Sequence, residues 1–172
     1  MGDYYIRLFT SLSSSCNKYL KKVAWFIGTG AGVGLSPVAP GTFGTAAALL
    51  MYYVLPVPST SPIFLSIILI GLVVGIWATG IVSTDDNPDP GKVVWDEYVG
   101  LWITCLLLPK TWEWLIFAFF IFRIFDILKP WPIKRIESFP KGWGIMLDDV
   151  LAGIYGNLCI NITHILFLSF SL

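Results

Sequence analysis

Long apolar stretches are the feature that most constrains what this chain can fold into. Residues 62–83 and 145–170 each reach the ~20 residues that a helix needs to cross the hydrocarbon core of a bilayer. Three shorter apolar stretches lie near 44–55, 93–108 and 112–128. Backbone polar groups inside lipid must be satisfied within their own segment, so all five stretches are predicted to be helices. The sequence, of which 56% is hydrophobic and 13% charged, thus predicts an all-α, compact, multi-helix membrane protein. It should contain about four to five apolar helices.

The whole chain, residues 1–172, is predicted to form a single domain, since its length suits one compact unit. Residues 1–22 form a basic N-terminal flank, and residues 28–156 form a core that carries the motifs described below. The 11 Lys and Arg residues balance 11 Asp and Glu residues, so no overall positive field is available to hold nucleic acid. The three cysteines, Cys16, Cys105 and Cys159, form no CxxC pair, which argues against a disulfide framework and a zinc site. The sequence leaves the oligomeric state open.

Basic residues predict how the helices are oriented across the membrane. They form two groups, one in the N-terminal flank and one in the loop at 129–141, whereas the loop at 56–61 has none. The positive-inside rule places both groups in the cytoplasm, which five spans satisfy with the C-terminus outside. The first group is Arg7, Lys18, Lys21 and Lys22, and the second is Lys129, Lys134, Arg135 and Lys141.

This topology gathers acidic residues from distant parts of the sequence at one membrane boundary. Asp96 and Glu97 lie near the start of the third span, Asp126 near the end of the fourth, and Asp148 and Asp149 near the start of the fifth. Such carboxylates repel one another and are costly to desolvate unless a positive charge neutralises them. Since the candidate ligands are hard oxygen donors, the pattern predicts a divalent cation of the Mg²⁺ type at the cytoplasmic boundary.

Two simpler interpretations of these acids remain open. Asp126 is three residues from both Arg123 and Lys129, so it can pair with either cation along one helix face. The adjacent pairs Asp96-Glu97 and Asp148-Asp149 can also be acidic residues that stabilise helix N-termini through the macrodipole.

The glycine-rich run at 28–34 matches neither common phosphate-loop pattern. Its GxxxG spacing favours close packing between helices. The turn that follows, at 35–45, places Ser36 and Thr42 just before the first span, where hydroxyls and free amides can bind an anion. The single histidine, His164, lies ~22 Å along a helix from Asp149 and is predicted to be a packed or interfacial residue outside any acid–base site. The sequon at Asn161 falls within a predicted span and is discounted.

Four stretches together resemble the phosphatidylglycerophosphatase A family of bacterial membrane enzymes. They are GLSPVAPGT at 34–42, WDEYVG at 95–100, FRIFDILKPWPI at 122–133 and GIMLDDVLAG at 144–153. The resemblance implies an all-helical enzyme that hydrolyses phosphatidylglycerophosphate to phosphatidylglycerol and phosphate with Mg²⁺. It also implies a multi-pass protein of the bacterial inner membrane whose site faces the cytoplasm. The family's acidic positions fall on Asp96, Glu97, Asp126, Asp148 and Asp149, and its basic position falls on Lys129.

The motifs leave open which carboxylate binds the metal and which acts as base, so the chemistry of the side chains is the basis for the predicted roles. Asp96, Glu97, Asp148 and Asp149 are predicted to hold Mg²⁺, and Asp126 and Asp149 are predicted to be catalytic. Asp126 is the expected base that orients the attacking water, or otherwise a further metal ligand. Arg123 and Lys129 are expected to bind phosphate oxygens, and Ser36 and Thr42 to bind the phosphate or the glycerol.

Two other classes of protein are alternatives to the enzyme. A small ion or metal transporter would also carry intramembrane carboxylates, but it should place them near the middle of the bilayer. The central stretches 65–75 and 114–122 hold no acid. A non-catalytic assembly factor would have no need for such a site.

Overall fold

The computed structural model describes residues 17–84, 86–87 and 89–170, and every regular element in that part of the chain is helical. The predicted all-α class is therefore confirmed. Arg7 and Cys16 lie outside the described residues. The elements are α1 at 17–28, a 3-10 turn at Val33–Leu35, α2 at Pro40–Val54, α3 at Pro62–Val82, α4 at Trp95–Thr104, α5 at Trp112–Leu128, α6 at Ile133–Ile136 and α7 at Gly142–Phe170.

Two helices of the described part are long and apolar enough to cross a membrane by length and composition. They are α3, over Pro62–Val82, and most of α7, over Gly142–Ser169. Helix α4 has 10 residues and is therefore ~15 Å long, which is too short for a span. The number of helices that cross the membrane stays a prediction.

Proline and serine set the local boundaries of the early helices. Pro40 and Pro62 occupy the first turns of α2 and α3, where the missing N–H costs nothing. The Ser61 side chain accepts a hydrogen bond from the Ile63 amide at 3.2 Å and so caps α3. These local signals explain why the predicted helices appear close to their expected positions.

Helix α4 lies at the centre of the molecule, and eight of its ten residues are buried. Two tryptophans fix its position among its neighbours. The indole N–H of Trp95 donates to the Gly71 carbonyl of α3 at 2.9 Å, and that of Trp102 donates to the Ala48 carbonyl of α2 at 3.0 Å. Each buried indole therefore has a partner, which burial of an N–H donor requires.

Helices α4 and α7 cross at Gly100 and Gly153. A Cβ added to Gly100 would lie 2.7 Å from the Asp149 carbonyl oxygen, and a Cβ added to Gly153 would collide with the Gly100 carbonyl. The Thr104 hydroxyl donates to the Gly153 carbonyl at 3.3 Å across the same crossing. Because only glycine permits this approach, the crossing determines how near the acids of α4 come to those of α7.

Amide side chains of α7 donate hydrogen bonds to backbone carbonyls at the C-terminal end of α4. The Asn157 side chain donates to the carbonyls of Leu106 at 2.8 Å and Thr104 at 3.2 Å, and Asn161 donates to Leu106 at 3.2 Å. The sequon asparagine thus serves an internal contact. The His164 ring packs edge-on against Trp114 with centroids 4.7 Å apart, which confirms the packed role predicted for the histidine.

The glycine-rich run does not pack two helices together, so that interpretation is wrong. Gly30, Ala31 and Gly32 have positive φ angles of 56°, 57° and 93°, which end helix α1 and form a tight turn. A Cβ on Gly30 would lie 2.9 Å from the Tyr98 ring. The Val94 amide donates to the Gly28 carbonyl at 2.8 Å, so the turn joins the end of α1 to the start of α4.

Candidate active site

Three carboxylates from two helices converge beside the α4–α7 crossing. Asp96 and Glu97 lie in the first turn of α4, and Asp149 lies on α7. One oxygen from each residue lies within 4.8 Å of the others, and the three residues are named the acidic trio hereafter. Glu97 and Asp149 are buried, and Asp96 is partly buried.

Two oxygens of the acidic trio are buried without a donor. They are Asp96 Oδ1 and Glu97 Oε2, and no described residue donates to either. A carboxyl group can bond to another carboxyl group only if one of them holds a proton. A cation bound between them satisfies both oxygens directly, so the trio fits a divalent ion with hard oxygen ligands.

Burial and mutual repulsion alter the acidity of the two carboxyl groups on α4. Burial raises the pKa of Asp96 well above its usual range, and the neighbouring Glu97 charge raises it further. Burial also raises the pKa of Glu97, and this effect exceeds the opposing effect of the Arg123 guanidinium. Positive charge is therefore needed to keep both groups ionised.

Two cations lie around these helix ends, and each is held by a carboxylate outside the acidic trio. On α5, Arg123 Nη1 lies 2.5 Å from Asp126 Oδ2 and 3.8 Å from Glu97 Oε1. Lys129 follows α5 in the left-handed conformation, and its Nζ lies 2.7 Å from Asp148 Oδ2 and 3.0 Å from Glu137 Oε1. Burial opposes the charged form of Lys129, but hydrogen bonds and attraction from Asp148 and Glu137 outweigh it and raise the lysine pKa.

The five predicted acids thus divide into two structural classes. Asp126 forms the ion pair with Arg123 that the simpler interpretation describes. Asp148 pairs with Lys129, and its Oδ1 accepts the Asp149 backbone N–H at 2.9 Å. Both carboxylates therefore position groups around the acidic trio without belonging to it.

The start of α2 approaches the same site. A Cβ on Gly41 would collide with Glu97 Oε1 and lie 3.3 Å from Arg123 Nη1, so the α2 backbone lies directly against this ion pair. Thr42 is the next residue, with an exposed side chain. The Ser36 hydroxyl donates to the Val38 carbonyl at 2.9 Å within the preceding turn and lines a cavity of about 800 Å³ that Lys92 also lines.

Several residues around the site are not among those that the sequence predicts. A cavity of about 180 Å³ next to Asp148 is lined by Asp89, Glu137 and Lys141 as well. Asp89 lies between two prolines in the loop before the apolar stretch that begins near Asp96 and Glu97, which is a signal that could have identified it. For the close contact between Gly41 and Glu97, the only signal in the sequence is the Pro-Gly pair at the start of a predicted helix.

Comparisons with known proteins give the chain its family. The model of the family described as Phosphatidylglycerophosphatase A matches residues 26–164, a range that includes the acidic trio and both cations. No solved structure matches the chain.

Three relatives cover most of the chain. A protein of Bacteroides thetaiotaomicron named "Putative phosphatidylinositol-3-phosphatase" is 41% identical over 145 residues, which are 80% of this chain and 91% of that protein. Phosphatidylglycerophosphatase A of Haemophilus influenzae is 38% identical over 147 residues, 81% of this chain and 90% of that protein. Phosphatidylglycerophosphatase A of Escherichia coli K12 is 37% identical over 131 residues, 74% of this chain and 76% of that protein. The chain belongs to the phosphatidylglycerophosphatase A family.

Proposed function

We propose that this protein hydrolyses phosphatidylglycerophosphate to phosphatidylglycerol and inorganic phosphate with Mg²⁺. The reaction would take place at the cytoplasmic face of a bacterial inner membrane. The observation that carries the proposal is the acidic trio, which has two buried oxygens without a donor. Glu97 of the trio contacts Arg123, and Lys129 is paired with Asp148, the residue before Asp149. Such a site combines ligands for a divalent ion with cations for a phosphate. Family membership supports the same reaction.

The donor set of the trio suits Mg²⁺ better than zinc. All its candidate ligand atoms are carboxylate oxygens, and zinc sites in proteins favour histidine and cysteine ligands. When bound, Mg²⁺ would polarise the phosphate and lower the pKa of an attacking water. Asp96, Glu97 and Asp149 would hold the ion. The sequence prediction that Asp148 is a further ligand stays a prediction, since its Oδ2 is paired with Lys129 here.

The cations would bind the non-bridging oxygens of the phosphate. Lys129 is kept protonated and oriented by Asp148 and Glu137, so it can attract the phosphate as it enters. Arg123 is held by Asp126 near Glu97 and can present its remaining N–H groups. Thr42 and the start of α2 would contact the phosphate or the glycerol. Ser36, in the turn before α2, would contribute to the same binding.

Asp126 has a role as a base only if the substrate takes over its contact with Arg123. A phosphate oxygen that binds Arg123 Nη1 would free Asp126 Oδ2 to accept the proton of the attacking water. The hydroxyl oxygen then bonds to phosphorus as the bond to the glycerol oxygen breaks. The leaving oxygen takes a proton from solvent, and Asp126 releases the proton that it accepted, which returns it to the ionised form.

The names of the relatives indicate substrates of one chemical class that differ in the head group. Two relatives are named for phosphatidylglycerophosphate and one for phosphatidylinositol 3-phosphate. Both substrates are lipids with a phosphomonoester in the head group, which one site of this kind can bind. We choose phosphatidylglycerophosphate because the family and two relatives share that name.

Phosphate release from lipid vesicles tests the reaction and the head group together. Purified protein should release phosphate from phosphatidylglycerophosphate faster than from phosphatidylinositol 3-phosphate, and EDTA should abolish the release. Phosphatidylglycerol, a diester, should not be cleaved. Release from the inositol lipid alone would move the proposal to that substrate, and rapid diester cleavage would refute the phosphomonoesterase assignment.

A further inference from the structure

Helix α1 presents three faces of different chemistry. With ~100° between successive residues, its apolar residues fall on one arc of about 120° and its lysines on another of about 100°. Ala24 and Gly28 lie between them and are buried against the rest of the protein. The apolar arc is Tyr19, Leu20, Val23 and Phe26, which are 70%, 45%, 50% and 61% exposed, and the basic arc is Lys18, Lys21 and Lys22.

The basic arc faces the end of a helix that can cross the membrane. Lys18, Lys21 and Lys22 line a cavity of about 680 Å³ together with Trp25 and the segment at 81–84 that ends α3. This end of α3 is also where α7 begins, since a Cβ on Gly80 would lie 3.7 Å from the Gly142 backbone nitrogen. Helix α1 therefore lies at the same end of the molecule as the acidic trio. The turn at 29–32 connects α1 to the start of α4, which carries Asp96 and Glu97.

Neither arc of α1 has a partner in the described part of the chain. The apolar arc is exposed, and the ion pairs among described residues involve only Arg123 and Lys129 as cations. Exposed apolar residues on one face and lysines on the adjacent face are typical of a helix that lies in the membrane interface. Tryptophan is also enriched at that depth, and Trp25 lies among the lysines.

We propose that α1 is an interfacial helix and that its lysines bind an anionic phospholipid. The apolar arc inserts among the acyl chains. The headgroup phosphate lies in the cavity between the basic arc and the end of α3, where three lysines provide complementary charge. The inference rests on the membrane location in the proposed function but not on the phosphatase reaction. It gives the protein a second lipid site, separate from the acidic trio, that holds an anionic lipid.

Native mass spectrometry tests the lipid site without any turnover. Wild-type protein is released from nanodiscs of phosphatidylcholine and phosphatidylserine in a 3:1 ratio, and the retained lipids are counted. The wild type should retain phosphatidylserine preferentially, and Lys21→Gln/Lys22→Gln should lower that preference about 10-fold or more. The matched control Lys134→Gln/Arg135→Gln removes two exposed charges at the same predicted boundary and should retain the preference. Equal retention by all three proteins, or an equal loss in both variants, would overturn the site.

A fluorescent probe tests the interfacial placement independently. In a background without native cysteines, an environment-sensitive NBD label is attached at Val23→Cys and, as the control, at Asp86→Cys in an exposed loop. The Val23 label should emit at shorter wavelength and be quenched by nitroxides on the acyl chains, whereas the Asp86 label should not. If both labels respond as in water, α1 does not lie in the interface. Neither readout depends on phosphate release, so failure of the phosphatase proposal would be seen separately.

Discussion

Neutralising one carboxylate of the acidic trio should have opposite effects on activity and on the stability of the metal-free protein. Asp149 forms no ion pair among the described residues, and one of its oxygens lies within 4.8 Å of both Asp96 and Glu97. At an effective dielectric constant of about 20, two carboxylate charges no further apart than that repel by roughly 3.5 kcal/mol or more. Asp149→Asn removes this repulsion, so the metal-free variant should be as stable as the wild type or more stable.

The same change should greatly reduce catalysis, because it removes an anionic ligand from a site for a doubly charged ion. Loss of the ligand should weaken Mg²⁺ binding and lower turnover about 100-fold or more, equivalent to about 2.7 kcal/mol in the barrier. Asp96→Asn should behave in the same way. Because the ligands act as one unit, the double variant should lose little more than either single variant.

The assay combines phosphate release over a range of Mg²⁺ concentrations with thermal unfolding in EDTA. Asp126→Asn is the matched control, because it removes the nearer carboxylate paired with Arg123 and leaves that cation with only the 3.8 Å contact to Glu97 Oε1. It should destabilise the metal-free protein. Near-normal turnover of Asp149→Asn and Asp96→Asn at low Mg²⁺ would refute the metal site, as would a loss of metal-free stability equal to that of the Asp126 variant.

Four further predictions concern pH, packing and topology. Burial raises the pKa of the two acids on α4, so protons should compete with Mg²⁺ and the half-saturating Mg²⁺ concentration should rise as the pH falls. Because of these raised pKa values, the folded metal-free protein binds more protons than the unfolded chain. Its stability should therefore fall as the pH rises through these pKa values. A stability in EDTA that does not change with pH would contradict this. Gly100→Ala places a Cβ 2.5 Å from the Phe122 ring and should lower stability by about 1–3 kcal/mol together with turnover, whereas Gly91→Ala, with no heavy atom within 4 Å of its Cβ, should change neither. The topology can be tested with single cysteines at the exposed positions Thr60 and Ser138, in a background without native cysteines. The two should be labelled from opposite sides of the membrane. Labelling of both from the periplasm would refute the cytoplasmic location of the site.

Position in the sequence was a good guide to which residues lie near the site but a poor guide to their contacts. Asp148 and Asp149 are adjacent and were given the same ligand role. In the structure a helical rotation of ~100° separates their side chains, so that one reaches Lys129 and the other reaches Asp96 and Glu97. No sequence pattern shows which neighbour faces which helix before α4 and α7 are packed together.

The sequence alone determined the helical class, because the length of the apolar stretches and the prolines between them act locally. It also predicted that Asp96, Glu97 and Asp149 lie near one another, since each lies near the end of an apolar stretch, and the structure brings one oxygen of each within 4.8 Å of the others. Only the tertiary structure decided how closely they meet, because that distance depends on the backbone contact at Gly100 and Gly153. Tertiary structure also decided the conformation of the glycine-rich run. Its GxxxG spacing is compatible with helix packing, but its contact with Tyr98 requires a turn with positive φ angles. Tertiary packing decides such cases because glycine is compatible with both conformations, and only the neighbouring elements select one.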